Sequence, residues 1–124
     1  MPKTPEIACP FVVKKLYAAL GFAWAGLRAA FASELAFRLE VATAAVALPL
    51  AMVLGDTGVE RALLSASVLL VLMAELVNTA FERVCERIST DIHPVTKIIK
   101  DIGGGVVLLS LLNALFIWGC VLLG

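Results

Sequence analysis

The chain carries no surplus of charge: its 10 Lys and Arg are matched by 10 Asp and Glu, and the formal net charge is zero. Proteins that bind nucleic acid usually show a basic patch, so this balance argues against nucleic acid as a partner. Paired or metal-spaced cysteines are also missing. Cys9, Cys85 and Cys120 are odd in number and far apart, with no Cys-x-x-Cys, a pattern of reduced, packed thiols. Between Met1 and Cys9 there are Pro2, Lys3, Pro5 and Glu6 but no apolar core, so no signal peptide is predicted and the N-terminus is expected to be retained. Internal repeats, low-complexity tracts, a Gly-x-x-x-x-Gly-Lys-Ser/Thr loop and a protein-kinase signature are all absent, which excludes the common phosphate-cradling loops.

What is present in excess is apolar side chain. Of 124 residues, 61% are hydrophobic, and the mean hydropathy is +1.00. Soluble domains sit nearer about 45–50% apolar. One domain of this size has too little interior to hide the difference, so most of it must face lipid. The predicted fold is an all-α integral-membrane domain over residues 1–124, with a surface helix at about 11–32 and spans at about 34–55, 62–86 and 98–123. The run Val41 to Gly55 is uncharged but short of the ~20 residues a span needs, so its helix must begin near Ser33 or Glu34. Pro49 lies within it and is tolerable in a membrane helix. Gly55-Asp56-Thr57-Gly58 signals a turn, and Thr90 to Pro94 breaks the next helix. Gly103-Gly104-Gly105 opens the last span, where close helix approach or a flexible entry is expected.

From Phe11 to Ala32 the pattern is helical. Leu16, Ala19, Leu20, Ala23, Leu27 and Ala30 form one face, and Lys14, Tyr17, Gly21, Ala25 and Arg28 the other. This arrangement suits a helix lying in the membrane interface. Lys and Arg placement sets the expected topology. Lys3, Lys14, Lys15, Arg28 and Arg38 precede or enter the first span, and Arg83, Arg87, Lys97 and Lys100 follow the second, whereas the loop between these spans has only Arg61. The N-terminus and second loop are therefore expected in the cytoplasm, and the first loop and C-terminus outside.

The chemistry is expected in Glu75-Leu-Val-Asn78-Thr-Ala-Phe-Glu82-Arg-Val-Cys-Glu86. On a helix the three carboxylates fall within roughly 40° of one another, with Asn78 alongside. Unpaired carboxylates on an apolar helix are costly, so something cationic must meet them. Mg²⁺ is one candidate; a structural ion-pair network with Arg83, Arg87 or Arg38 is the other. Glu75 lies some two turns inside the span, where a carboxylate can take a proton from a hydroxyl. A second cluster is Asp91-Ile92-His93, then Lys97, Lys100 and Asp101. A Lys at that mouth suits phosphate oxygens, and a lone His is a capping or hydrogen-bonding residue. These features suggest phosphoryl transfer, and on pattern alone an ion path built from the same carboxylates remains open.

The stretch Glu75-Leu-Val-Asn78-Thr79-Ala80-Phe81-Glu82 resembles the signature of the prokaryotic diacylglycerol kinase family. Gly21-Phe-Ala-Trp24-Ala-Gly26-Leu27-Arg28-Ala29-Ala30 is similar to its surface helix, Glu34-Leu-Ala-Phe37-Arg38-Leu-Glu40 to its entry to the first span, and Lys100-Asp101-Ile-Gly103 to its entry to the third. The resemblance implies a homotrimer of three-span chains in the bacterial inner membrane, with active sites shared between protomers. It implies an enzyme that transfers the γ-phosphate of ATP, with Mg²⁺, to the hydroxyl of a membrane lipid. Glu75 falls at the catalytic-base position, and Glu34 and Glu82 at the metal-ligand positions. Lys15, Phe22, Glu34, Glu82, Asp91, Ile92, His93, Lys100 and Asp101 fall where nucleotide and metal are contacted. Leu20, Gly21, Trp24, Arg28, Ala29, Ala30, Phe31, Ala36, Phe37, Arg38, Leu39, Glu40, Glu75 and Asn78 fall where lipid is held.

Departures are few. Cys85-Glu86 stands where Val-Asp is usual, Phe81 replaces an aliphatic, Phe22 replaces a common Tyr, and Gly104-Gly105 replaces small non-glycine residues. Lys15 in place of Arg gives up bidentate geometry. Within the family, Gly-Leu-Arg-Ala-Ala and Glu-x-Ala-Phe-Arg-x-Glu look more like the branch that phosphorylates diacylglycerol than the one that phosphorylates undecaprenol. The alternatives carried forward are therefore an undecaprenol kinase and a non-enzymatic ion- or proton-conducting oligomer.

Overall fold

A computed structural model of the chain describes residues 5–88 and 93–124. They form four helices, α1 (Pro5–Ser33), α2 (Leu35–Leu54), α3 (Gly58–Ile88) and α4 (Pro94–Leu123). The chain divides into two compact units, one carrying α1 and the other running from Glu34 to Gly124.

The α1 unit is a single helix that begins earlier than residue 11. Pro5 occupies its first position, where a missing N–H is no loss. From Cys9 to Ala29 its side chains are exposed, those of Leu16 and Leu20 included. Lys15 Nζ stands 5.7 Å from the Phe11 ring centroid, one turn away, a cation–π contact that holds the Lys stem along the helix. At the C-terminal end Ser33 Oγ donates to the Ala29 carbonyl at 2.8 Å.

The second unit is built around α3, which packs against both α2 and α4. All three helices are long and apolar enough to cross a membrane. The buried positions on α2 are Phe37, Ala44 and Ala51, and on α4 Gly103 and Ser110. Both sets repeat every seven residues, the spacing that keeps one seam of a helix facing its neighbour. Most of these residues are small. Lipid tails are as apolar as Leu, so helices in a bilayer associate through close packing of small side chains rather than hydrophobic expulsion. The large side chains point outward instead: Val53, Leu109, Leu115 and Phe116 are all exposed. A groove of about 880 Å³ between α2 and α4, lined by Leu39, Val46, Leu50, Leu111, Leu115 and Trp118, is almost wholly apolar.

The buried Ser67 hydroxyl is satisfied locally. Ser67 Oγ donates to the Leu64 carbonyl at 2.7 Å and accepts from Trp118 Nε1–H at 3.0 Å, which ties α3 to α4. Pro49 lies inside an unbroken α2.

Two helices begin ahead of the spans expected from hydropathy, and capping chemistry explains both beginnings. α3 begins at Gly58, not residue 62, because Thr57 and Glu60 form a reciprocal cap. Glu60 N–H donates to Thr57 Oγ1 at 3.1 Å, and Glu60 Oε2 accepts from the Asp56 and Thr57 N–H groups at 2.7 and 3.3 Å. Gly55 precedes this cap because Arg61 leaves no room for a Cβ, which would stand 2.6 Å from Arg61 Cγ. Arg61 Nε–H then donates to the Gly55 carbonyl at 3.1 Å. α4 begins at Pro94, not residue 98. His93 is its N-cap, with Nδ1 accepting from Val95 N–H at 3.1 Å, and Pro94 follows in the first turn. Lys97, Lys100 and Asp101 therefore sit on α4 itself.

Candidate functional site

The site forms where the latter half of α3 meets the start of α2. Helical periodicity places Glu75, Asn78 and Glu82 along one face of α3. Glu75 is the deepest of them, only 6% exposed. It lies near enough to Glu82 and Glu34 for their charges to act on it, and Glu40 lies near enough to Glu75. Glu34, Glu40 and Glu82 thus each act electrostatically with Glu75. In a low-dielectric surrounding this arrangement is unfavourable unless cations or protons meet it.

Two contacts organise the group. Asn78 Nδ2–H donates to Glu82 Oε1 at 3.4 Å, one turn along α3. Arg83 Nη2 reaches Glu34 Oε1 at 3.3 Å. Glu34 has an extended backbone at the N-cap of α2 and makes no side-chain cap, which leaves its carboxylate available to Arg83. Arg83, one of the cations expected as a partner for the α3 carboxylates, thus pairs with Glu34 of the α2 N-cap. Two polar atoms here, Glu40 Oε2 and Asn78 Oδ1, are buried without a hydrogen-bond partner.

Glu34 and Glu82 offer hard oxygen donors of the type Mg²⁺ takes. Among the described residues no three His, Cys, Asp or Glu side chains cluster into a cage. Mg²⁺ in phosphoryl-transfer sites characteristically uses one or two carboxylates together with substrate phosphates and water, so this donor set fits the ion by its chemistry.

The other predicted positions are distributed as follows. Phe37 turns into the core, whereas Ala36, Arg38 and Leu39 are exposed on α2. Lys15, Leu20, Gly21, Phe22, Trp24, Arg28, Ala29 and Phe31 are exposed on α1, and Ala30 is buried. Asp101 pairs with Lys97 on the surface of α4, Nζ to Oδ2 at 2.7 Å, and Lys100 is exposed nearby. His93 is engaged as a cap. Asp91 and Ile92 lie outside the described residues.

Two residues in the site were not assigned roles from the sequence. Arg83 was foreseen only as one possible ion-pair partner. Gly103 was foreseen as a point of close approach but not as a neighbour of Asn78, against which it packs. Three successive glycines at a helix start were the available signal, and they do not say which one is pressed against a partner.

Residues 21–122 match the sequence profile of the family described as prokaryotic diacylglycerol kinase. Lys15 and Leu20 precede this segment. The chain is 38% identical over 109 residues to the diacylglycerol kinase of Escherichia coli K12, covering 88% of each chain. It is 38% identical over 112 residues to the diacylglycerol kinase of Pseudomonas aeruginosa, covering 90% of this chain and 91% of that one. Its identity to the diacylglycerol kinase of Haemophilus influenzae is 41% over 97 residues, 78% and 82% of the two chains.

Proposed function

The chain belongs to the prokaryotic diacylglycerol kinase family, and on that premise we propose that buried Glu75 is the base of its phosphoryl transfer. The protein is a membrane-embedded lipid kinase that uses ATP to phosphorylate diacylglycerol, giving phosphatidic acid. In our reading the lipid hydroxyl enters from the bilayer side and ATP from the cytoplasm, with the N-terminus cytoplasmic and the helices in the inner membrane. As the hydroxyl oxygen bonds to the γ-phosphorus, its bond to the β–γ bridging oxygen breaks, ADP leaves, and the hydroxyl proton passes to a Glu75 carboxylate oxygen.

The observation that carries this reading is the burial of Glu75 on the same α3 face as Asn78 and Glu82. Glu34 and Glu82 would hold Mg²⁺, which when bound supplies charge neutralisation on the triphosphate. Asn78 keeps the Glu82 carboxylate turned along α3. His93, Lys100 and Asp101, with Asp91, Ile92, Lys15 and Phe22, serve the nucleotide. Exposed residues of α1 around Trp24 and Arg28, and Arg38 to Glu40 on α2, serve the lipid. The electrostatic nearness of Glu34, Glu40 and Glu82 to Glu75, in a unit whose large apolar side chains face outward, supports a site completed by neighbouring protomers in a homotrimer.

The test is turnover of labelled ATP with diacylglycerol and with undecaprenol, side by side in mixed micelles, by the wild type and Glu75→Gln. We expect diacylglycerol to be the better substrate. Loss of a general base lowers turnover about 10²–10⁴-fold, and Glu75→Gln should fall by that range while still binding ATP. Full turnover by the variant would overturn Glu75 as base. Proton flux through liposomes without ATP would favour a conducting oligomer.

A further inference from the structure

Gly103 is buried at the α3–α4 contact. A Cβ built on it would collide with Asn78 Oδ1, and it would stand 3.6 Å from Phe81 Cδ2. The oxygen of Asn78 thus occupies the space that any other residue at 103 would fill. Gly104 and Gly105, next in the chain, meet nothing within 4 Å on adding a Cβ. All three glycines weaken the helix equally by propensity, yet only one has a neighbour that requires the missing side chain.

That neighbour has a fixed orientation. An amide side chain can turn only its nitrogen toward a carboxylate, because the carboxylate accepts and does not donate. Asn78 Nδ2–H donates to Glu82 Oε1, so Oδ1 must face the other way, onto α4. There it is buried and takes no hydrogen bond. Such a group survives only where the surroundings hold it, and here the surroundings are the bare backbone of Gly103. Substitution with even a methyl group pushes the amide off its position, and the hydrogen bond to Glu82 goes with it.

We infer that Gly103 is a positioning residue for phosphoryl transfer, setting the Asn78 amide so that it holds the Glu82 carboxylate. The inference rests on the proposed reading that Asn78 and Glu82 belong to the active site. It also distinguishes the three glycines that open α4, since only the first acts on the site within the chain.

The experiment is a double-mutant cycle on the full-length protein in mixed micelles, with Gly103→Ala, Asn78→Ala, both together, and Gly104→Ala as control. For each, kcat and KM for diacylglycerol and the thermal unfolding transition are measured. Misplacing a catalytic group by about 1 Å can cost ~100-fold in rate. Gly103→Ala should therefore lower kcat by at least tenfold, with KM for the lipid changed less than about twofold. Gly104→Ala should match the wild type. In the Asn78→Ala background, Gly103→Ala should add no further loss, since the group it displaces is gone.

An equal loss in both backgrounds, or wild-type kcat for Gly103→Ala, would overturn the inference. Full activity in Asn78→Ala would instead overturn the site reading on which it depends, and the two failures are distinct. If Gly103→Ala alone does not fold, adding Asn78→Ala should restore a folded protein with the turnover of Asn78→Ala. Failure of that restoration also counts against the inference.

Discussion

The Arg83 guanidinium meets the Glu34 carboxylate at 3.3 Å across 49 residues of sequence. The residue that separates α1 from α2 is thereby tied to the end of the span that carries Glu75. The pair is half open to solvent on the Arg side, with side-chain exposures of 52% and 24%. Exposed pairs contribute about 0–1 kcal/mol, so its main consequence is not stability. It places a positive charge on a carboxylate that the family reading assigns to the metal.

Arg83→Gln should therefore change metal use more than folding. With the competing cation removed, Glu34 is more available, and the Mg²⁺ concentration for half-maximal turnover should fall about threefold, a coupling of under ~1 kcal/mol. The unfolding transition should move little. A titration of rate against Mg²⁺ at saturating ATP checks this. An unchanged or raised requirement would count against Glu34 as a metal ligand.

Glu34→Gln and Glu82→Gln should each keep the helix bundle and raise the Mg²⁺ requirement. Removing even an outer-shell partner of a metal ligand costs roughly 10–100-fold in metal affinity, and loss of a ligand itself should cost at least that much. Mn²⁺ binding to the purified protein with ATP, followed by electron paramagnetic resonance, gives a readout independent of turnover. Glu86→Gln serves as the comparison, because Glu86 is exposed near the end of α3, and it should bind Mn²⁺ as the wild type does.

His93 separates fold from function. Its Nδ1 accepts from Val95 N–H, which requires the neutral ring to carry its proton on Nε2. Asn is also a good cap, so His93→Asn should retain stability, whereas His93→Ala should lose about 1 kcal/mol. If the ring also serves the nucleotide, both variants should raise KM for ATP. A wild-type KM in His93→Asn would reduce His93 to a cap.

How much of this was legible in the sequence depends on the range of the interaction. The three spans follow from long apolar runs, and the α3 face of Glu75, Asn78 and Glu82 follows from helical periodicity, because both are local patterns. The helices α3 and α4 begin ahead of the expected spans because hydropathy does not register caps. Thr57 with Glu60, and His93 with Pro94, start helices while the residues are still polar. Contacts across helices were not readable at all. Nothing in the spacing of Glu34 and Arg83 says that they meet, and nothing in Gly103-Gly104-Gly105 says that Asn78 presses on the first alone.

The Ser67–Trp118 contact gives an asymmetric prediction about stability. Trp118→Phe removes the indole donor, but Ser67 Oγ still donates to the Leu64 carbonyl, so no buried group is stranded. Intramembrane hydrogen bonds average about 0.6 kcal/mol, and Trp118→Phe should lose about that much. Ser67→Ala removes the acceptor and leaves the Trp118 N–H facing an apolar seam, which costs about 1–3 kcal/mol for an unsatisfied donor. Ser67 is 1% exposed, so the methyl that replaces the hydroxyl cannot admit water to repair the loss. Unfolding of the two variants in mixed micelles should therefore rank Ser67→Ala below Trp118→Phe, and both should keep kcat, since neither residue is in the carboxylate group. Equal destabilisation of the two would mean that the contact is not a hydrogen bond of consequence.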